Sequence, residues 1–305
     1  MGTSDFAADS LKALFNAQHE ICGVFTRVDK PAGRKMSLKG SPVKQLAEQL
    51  GLDIYQPKTL RKDEALDLVK WLSPELIVVV AYGMILPQTI LDIPSKGAVN
   101  LHASLLPRHR GASPINATII YGDEFGGVTT MYMSAELDAG DVILQKKIPV
   151  GDTETAGELY ERLKSIGASL LCETVERISA GNAPRIPQDA VSVTFCGLIN
   201  KEMGLIDWSQ PAVKVSRLIR GMNPWPGAYT FFEGRILKIH MAVVAQTSIN
   251  LPCGSVDTAD KENIGIVCGD STIVWVTSVQ LEGKRVMSPG EFINGHPLKR
   301  GYVFG

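Results

Sequence analysis

The chain has 305 residues, enough for one large domain or two ordinary ones, and 45% hydrophobic with 21% charged residues is a globular composition with an ample core. A formal net charge of −1 excludes a generic polyanion coater but leaves room for a local basic patch. No apolar run is long enough to span a membrane, and the five cysteines are scattered without a Cys-x-x-Cys pair. Neither a disulfide framework nor a zinc knuckle is indicated, the first residues lack a secretory leader, and a reducing, cytoplasmic compartment follows, with an organelle as the alternative.

Residues 6–16 place Phe6, Ala7, Leu11, Leu14 and Phe15 at helical spacing, with Asp5 as the expected N-cap. Residues 21–26 read as a buried strand. A helix ahead of the first strand is odd for an α/β chain, so the first strand is expected to be missing or nearly so. Between 27 and 44, Arg27, Lys30, Arg34, Lys35, Lys39 and Lys44 face a single acid, Asp29, and Pro31, Gly33 and Gly40 predict irregular backbone. Such a loop is either a solvated surface or a phosphate-contacting one.

Helices are expected over 43–50 and 63–72, with a short strand at 53–56 between them. The β-branched run at 75–83 suits a central parallel strand buried on both faces. Strands over 128–133 and 142–148 flank the turn-rich segment 134–141. This alternation predicts an α/β fold with a doubly wound, mostly parallel sheet. A helix over 156–180 carries Leu159, Leu163, Ile166, Leu170 and Val175 on one stripe and stops at Gly181. Segment 182–205, with Pro184 and Pro187 and little periodicity, reads as a linker. After 206, one helix (213–222) precedes short β-prone runs at 229–232, 236–243, 264–267 and 273–279, the pattern of a small β-barrel.

The chemistry centres on Val99-Asn100-Leu101-His102, an apolar run that ends in two polar side chains. Residues two apart on a strand share a face, and ligands of open α/β sheets lie beyond the carboxyl ends of the strands. A lone His at such an end is most often a hydrogen-bonded structural residue. Asp138, in Glu136-Leu137-Asp138-Ala139-Gly140-Asp141 after the next strand, supplies a third polar group. An Asp beside a His favours the protonated imidazole and orients it, and an Asn amide can donate to a developing oxyanion. Asn100, His102 and Asp138 contain no nucleophile. Direct acyl transfer between two bound substrates fits them, with no covalent enzyme intermediate.

These residues also carry a resemblance. His102-Ala103-Ser104-Leu105-Leu106-Pro107 with Arg110-Gly111, followed by Leu137-Asp138-Ala139-Gly140-Asp141, resembles the formyltransferases that use 10-formyltetrahydrofolate. The likeness runs through Gly2-Thr3-Ser4-Asp5-Phe6-Ala7, Lys30-Pro31-Ala32-Gly33-Arg34, Ala81-Tyr82-Gly83-Met84-Ile85-Leu86-Pro87, Ile206-Asp207-Trp208 and Asn223-Pro224-Trp225-Pro226-Gly227-Ala228. It implies a Rossmann-like catalytic domain over 1–181, a linker over 182–205 and an OB-like tRNA-binding domain over 206–305.

The implied reaction moves the formyl group to the amine of methionyl-initiator tRNA and requires no metal. Asn100 and His102 stabilise the oxyanion, while Asp138 keeps His102 protonated and helps take the amine proton. Folate is expected against Tyr82, Gly83, Met84, Ile85, Leu86, Leu137 and Asp141, with Ser104, Leu105, Leu106 and Pro107 at the entrance. The basic loop resembles the family's tRNA-contacting insertion, pointing to Arg34, Lys35 and Lys39. In the second domain Lys214 and Arg217, with Arg220 at the same spacing, form a basic edge, and the protein is expected to act as a monomer.

Two departures stand out. The family's apolar strand before Gly2 is represented by its last residue alone, and Cys196-Gly197-Leu198 replaces the usual Ala-x-Lys of the linker. A 10-formyltetrahydrofolate hydrolase, a sugar-nucleotide formyltransferase and a purine-pathway formyltransferase would share the trio. The insertion at 31–34 favours tRNA over all three, and the intact trio disfavours a folate- or RNA-binding module without turnover.

Overall fold

The computed structural model describes residues 1–32 and 37–305. They form two compact units that do not follow the chain in two blocks. Met1–Gly111, Gly127–Ile148 and Glu161–Phe195 make one; Ala112–Gly126, Pro149–Tyr160 and Cys196–Gly305 make the other. The last boundary, between Phe195 and Cys196, lies inside the expected linker 182–205, but two short earlier segments also belong with the later core.

In the first unit the sheet is mixed. Strand Ile77–Val80 pairs in parallel with Ala98–His102, and Val24–Phe25 pairs in parallel with Ile54–Tyr55. Strand Phe125–Tyr132 runs antiparallel to Ala98–His102, with Val99 opposite Tyr132 and His102 opposite Thr129, and Val142–Pro149 follows on its outer side. A continuous apolar run is buried on both faces in either direction, so the sequence pattern does not report this reversal. Val99 and Ile143 are buried with Ile178 on one side, while Phe25, Val79, Tyr82 and Ile90 belong to the cluster on the other.

Helix Asp5–Asn16 begins one residue earlier than expected, at the residue expected to cap it. Ser4, not Asp5, is the N-cap, its hydroxyl accepting from Ala7 N, and Asp5 occupies the first turn where a carboxylate suits the helix dipole. Gly2 N donates to Phe25 O at 2.9 Å and bridges to Val80, so residues 1–2 join the two pieces of the sheet at one end. Beyond them those pieces are separated by a cavity of about 480 Å³, walled by Leu14, Val24, Val43, Val78 and Val175.

The basic loop is more regular than expected. Lys30–Ala32 pairs antiparallel with Ser37–Lys39, and its base is pinned by Lys44 Nζ on Asp29 (2.6 Å) and by Gln56 Nε2 on Asp29 (2.7 Å) and on Arg27 O (2.8 Å). Pro31 is tolerated because a two-stranded ribbon consists only of edges.

The second unit is built on an antiparallel sheet in the order Ala228–Phe232, Arg235–Ser248, Thr272–Leu281, Ile264–Val267, Val256–Ala259. The tail links its outer strands: Val303 bridges Ser255, and Gly305 N donates to Phe231 O. A curled, nearly closed sheet results, in keeping with the expected barrel. Its core includes Ile219, Leu237, Ile239, Val274 and Phe292, and Ile120 packs against it from helix Pro114–Tyr121. Phe292 lies 5.2 Å from Phe232, edge to face, on a short helix held by a Ser288/Glu291 capping box.

Burial separates the thiols. Cys268 lies in the barrel core and burial pushes its pKa up to about 12, whereas Cys22 and Cys253 are exposed. Because the thiolate is the reactive form, a thiol reagent at neutral pH should label Cys22 and Cys253 in the native protein and Cys268 only on unfolding. Peptide mapping by mass spectrometry checks this; native labelling of Cys268 would contradict the packing described.

Candidate active site

All three candidate catalytic residues meet in the first unit. Asn100 and His102 project from one face of Ala98–His102, and the eight-residue loop 134–141 folds back over that face to deliver Asp138. Asp138 Oδ2 lies 3.7 Å from His102 Nδ1 and accepts from Gly111 N at 2.8 Å, while Oδ1 is 3.5 Å from Asn100 Nδ2. The other ring nitrogen, His102 Nε2, is 2.9 Å from His109 O. A carbonyl only accepts, so Nε2 carries the proton of this bond. His102 is 6% exposed and engaged at both nitrogens. An acyl oxygen reaches its ring only by displacing a partner. Asn100 is half-buried, and its amide has a second N–H beyond the long contact to Asp138.

The loop depends on unusual backbone. Asp138 sits at φ 50, a left-handed conformation that Asp tolerates better than most residues. Gly140 lies against the Tyr132 carbonyl, where an added Cβ would collide with the backbone oxygen. Gly111, at φ 121, brings its N–H onto Asp138.

The residues expected to contact folate divide by role. Tyr82 is 2% exposed and part of the core. Burial drives its hydroxyl pKa upward, with nearby Arg27 pulling the other way, and the hydroxyl has no hydrogen-bond partner among the described residues. Its side chain is therefore structural. Leu86 and Leu106 are likewise buried and Met84 partly so, whereas Ile85 and Leu137 stand 70% and 62% exposed. Gly83 turns at φ 74. Ser104 donates to Arg108 O at 2.6 Å, Leu105 packs against Gly127, and Pro107 follows a cis bond. Asp141 lies 3.8 Å from Arg185, whose guanidinium stacks 3.6 Å over the Tyr132 ring.

The basic candidates are less uniform than their spacing. Arg34 and Lys35 lie outside the described residues. Lys39 is exposed and stands opposite Lys30 in the ribbon. In the second unit Lys214 is exposed, but the Arg217 guanidinium packs over Gly122. Arg220 is 8% exposed with Nη1 on Glu154 O at 2.9 Å. The expected basic edge is thus interrupted by a buried arginine.

Sequence reasoning passed over several members of this cluster. Gln188, within the supposed linker, bonds both Arg110 and the Asp138 loop, and the His109 carbonyl and Gly111 N–H act through the backbone. Nothing in the sequence around Gln188 signals its contacts. Among the described residues no cluster of His, Cys, Asp and Glu could hold a metal.

The family model described as formyl transferase matches residues 1–175, and the one described as its C-terminal domain matches residues 198–297. The chain belongs to the formyl transferase family. Relatives of this family member include proteins named methionyl-tRNA formyltransferase from Moorella thermoacetica (45% identical) and Clostridioides difficile (42% identical). Each alignment covers 100% of this chain and 98% of the relative. Among solved structures, the sugar 3N-formyl transferase WlaRD, determined with dTDP and 5-N-formyl-THF, shares the fold at TM-score 0.69 and 17% identity, over 93% of this chain and 97% of that one. HypX from Aquifex aeolicus with tetrahydrofolic acid superposes at TM-score 0.58 and 19% identity, over 84% of this chain and 45% of that one.

Gly140→Ala should misplace Asp138 while leaving the barrel unit unchanged. Formyl transfer should fall by about tenfold or more, as expected for misplacing a catalytic group, and steady-state kinetics beside a thermal melt measures it. Full activity would show that the loop accommodates the methyl group.

Proposed function

We propose that the chain transfers the formyl group of 10-formyltetrahydrofolate to the α-amino group of methionine on initiator tRNA, in the cytoplasm. The observation that carries this reading is the end-to-end match to proteins named for that reaction, which spans both the loop bearing Asp138 and the barrel unit. The amine nitrogen attacks the formyl carbon, and a tetrahedral intermediate forms. Collapse breaks the bond to the folate nitrogen; the amine loses one proton and the folate nitrogen gains one.

Asn100 donates to the oxyanion, and His102 adds a second donor once its bond to the His109 carbonyl opens. Asp138 is the acceptor nearest the cationic amine, and its charge offsets the charge developing there. One oxyanion donor typically contributes about 2.7–4 kcal/mol to the transition state. The exposed Ile85 and Leu137 offer apolar surface for the folate ring, and Gly83 allows close backbone approach.

Lys30 opposite Lys39 supports an anionic partner at the ribbon. Like charges directly across a strand pair are destabilising, and a polyphosphate backbone lying on them removes that cost. We assign Arg34, Lys35, Lys39, Lys214 and Arg217 to tRNA on this reading. Functionally, 1–181 acts as the catalytic part, 182–205 as the connection and 206–305 as the tRNA-binding part.

The test is formyl transfer by purified protein to methionyl-tRNA, beside tetrahydrofolate release without an acceptor. Release that tRNA does not stimulate would overturn the assignment. Asp138→Asn keeps the side-chain shape and the tolerance for φ 50, and should lower kcat about a hundredfold or more with folate binding retained. Replacing Lys30 and Lys39 together by alanine should raise KM for tRNA and flatten its salt dependence, leaving KM for folate unchanged. Equal change in both constants would assign the ribbon another role.

A further inference from the structure

Segment 186–194 is a strap across the active site rather than a free connection. At one end Ile186 exchanges backbone hydrogen bonds with Val142 (2.8 and 3.0 Å), at the foot of the Asp138 loop. At the other, Thr194 accepts from Arg110 N at 2.8 Å through its carbonyl and from His109 N at 2.8 Å through its hydroxyl. Gln188 lies between. Its Oε1 accepts from Arg110 Nε (3.1 Å) and Nη2 (2.8 Å), and its Nε2 donates to Asp138 O (2.9 Å) and Gly140 O (2.8 Å).

A primary amide has two donors and two acceptor sites, and all four are used. The orientation is unambiguous, because flipping the amide would set its N–H groups against a guanidinium and its oxygen against two carbonyls. Glutamate would keep the arginine and repel the carbonyls; leucine would lose both.

We propose that Gln188 is the positioning residue for Asp138, tying the left-handed turn at Asp138–Gly140 to Arg110 so that the carboxylate meets the Gly111 N–H and faces His102. The Gln188 amide hydrogen-bonds neither His102 nor Asn100 and acts through the Arg110 side chain and the backbone of the Asp138–Gly140 turn. Its two donors fall on Asp138 O and Gly140 O, the first being the carbonyl of the positive-φ residue itself, and its acceptor fixes Arg110, which precedes the glycine whose N–H holds Oδ2. The strap thus sets where the carboxylate points, independently of whether either substrate is bound. The proposal rests on the reading of Asp138 as the group that works with His102 in formyl transfer.

The experiment compares Gln188→Leu and Gln188→Glu with the full-length enzyme, measuring kcat, both KM values, the pH profile of kcat and the melting temperature. Both variants should lose about tenfold or more in kcat, as for a displaced catalytic group, with either KM within about twofold. The pH profile should also move, because the carboxylate no longer faces His102 at its proper distance. A structural role alone would lower the melting temperature and the active fraction, scaling the pH profile without displacing it.

An unshifted profile, or wild-type kcat in Gln188→Glu, overturns the proposal even where Asp138→Asn is inactive. Wild-type kcat in Asp138→Asn instead overturns the underlying reading of the site, and the proposal with it. Should Gln188→Leu fold poorly, Gln188→Glu, which keeps the bond to Arg110, supplies the same comparison.

Discussion

Asp138 is held in a conformation that its own backbone disfavours, and the arrangement of the site follows from that restraint. A left-handed residue that is not glycine costs roughly 1–2 kcal/mol. Against this stand the Gly111 N–H on its carboxylate and the Gln188 N–H on its carbonyl, each contributing about 0.5–1.5 kcal/mol net, and more where a charge is involved. The restraints outweigh the strain. They also explain why one carboxylate reaches both Asn100 and His102, since a relaxed loop over 134–141 would have no reason to fold back over the sheet.

His102 is ordered by the same network from its other side. The His109 carbonyl accepts a hydrogen bond from Nε2, leaving Nδ1 towards the carboxylate, so ring orientation is set before any substrate arrives. The cost is access: a buried ring with both nitrogens engaged responds to an incoming oxygen only after the 104–111 loop yields. Asn100 carries no such restriction.

Much of this was legible in the sequence where periodicity governs. The period of two placed Asn100 and His102 on one face, and the acidic turn supplied Asp138. Runs of β-branched residues located strands but not their direction, which is why the antiparallel pairing of Phe125–Tyr132 with Ala98–His102 was not foreseen. Pro31 suggested irregular backbone around Lys30, whereas a ribbon of edges accepts a proline. Equal spacing put Lys214, Arg217 and Arg220 on one helix face, but burial at that face withdrew Arg220 from solvent. Gln188 had no signature at all, because its four partners come from segments about fifty to eighty residues away in sequence, with no local pattern to reveal them.

The interleaving of the two units sets an order for synthesis. Helix Pro114–Tyr121 leaves the ribosome long before Ala212–Gly221, yet Ile120 belongs to the later core and the Asn116 side chain donates to Gly221 O at 2.7 Å. During translation that helix must wait, its apolar face uncovered, for roughly a hundred residues to follow. A gene cut between the two family domains would strand it on the wrong fragment, away from the core that Ile120 packs against.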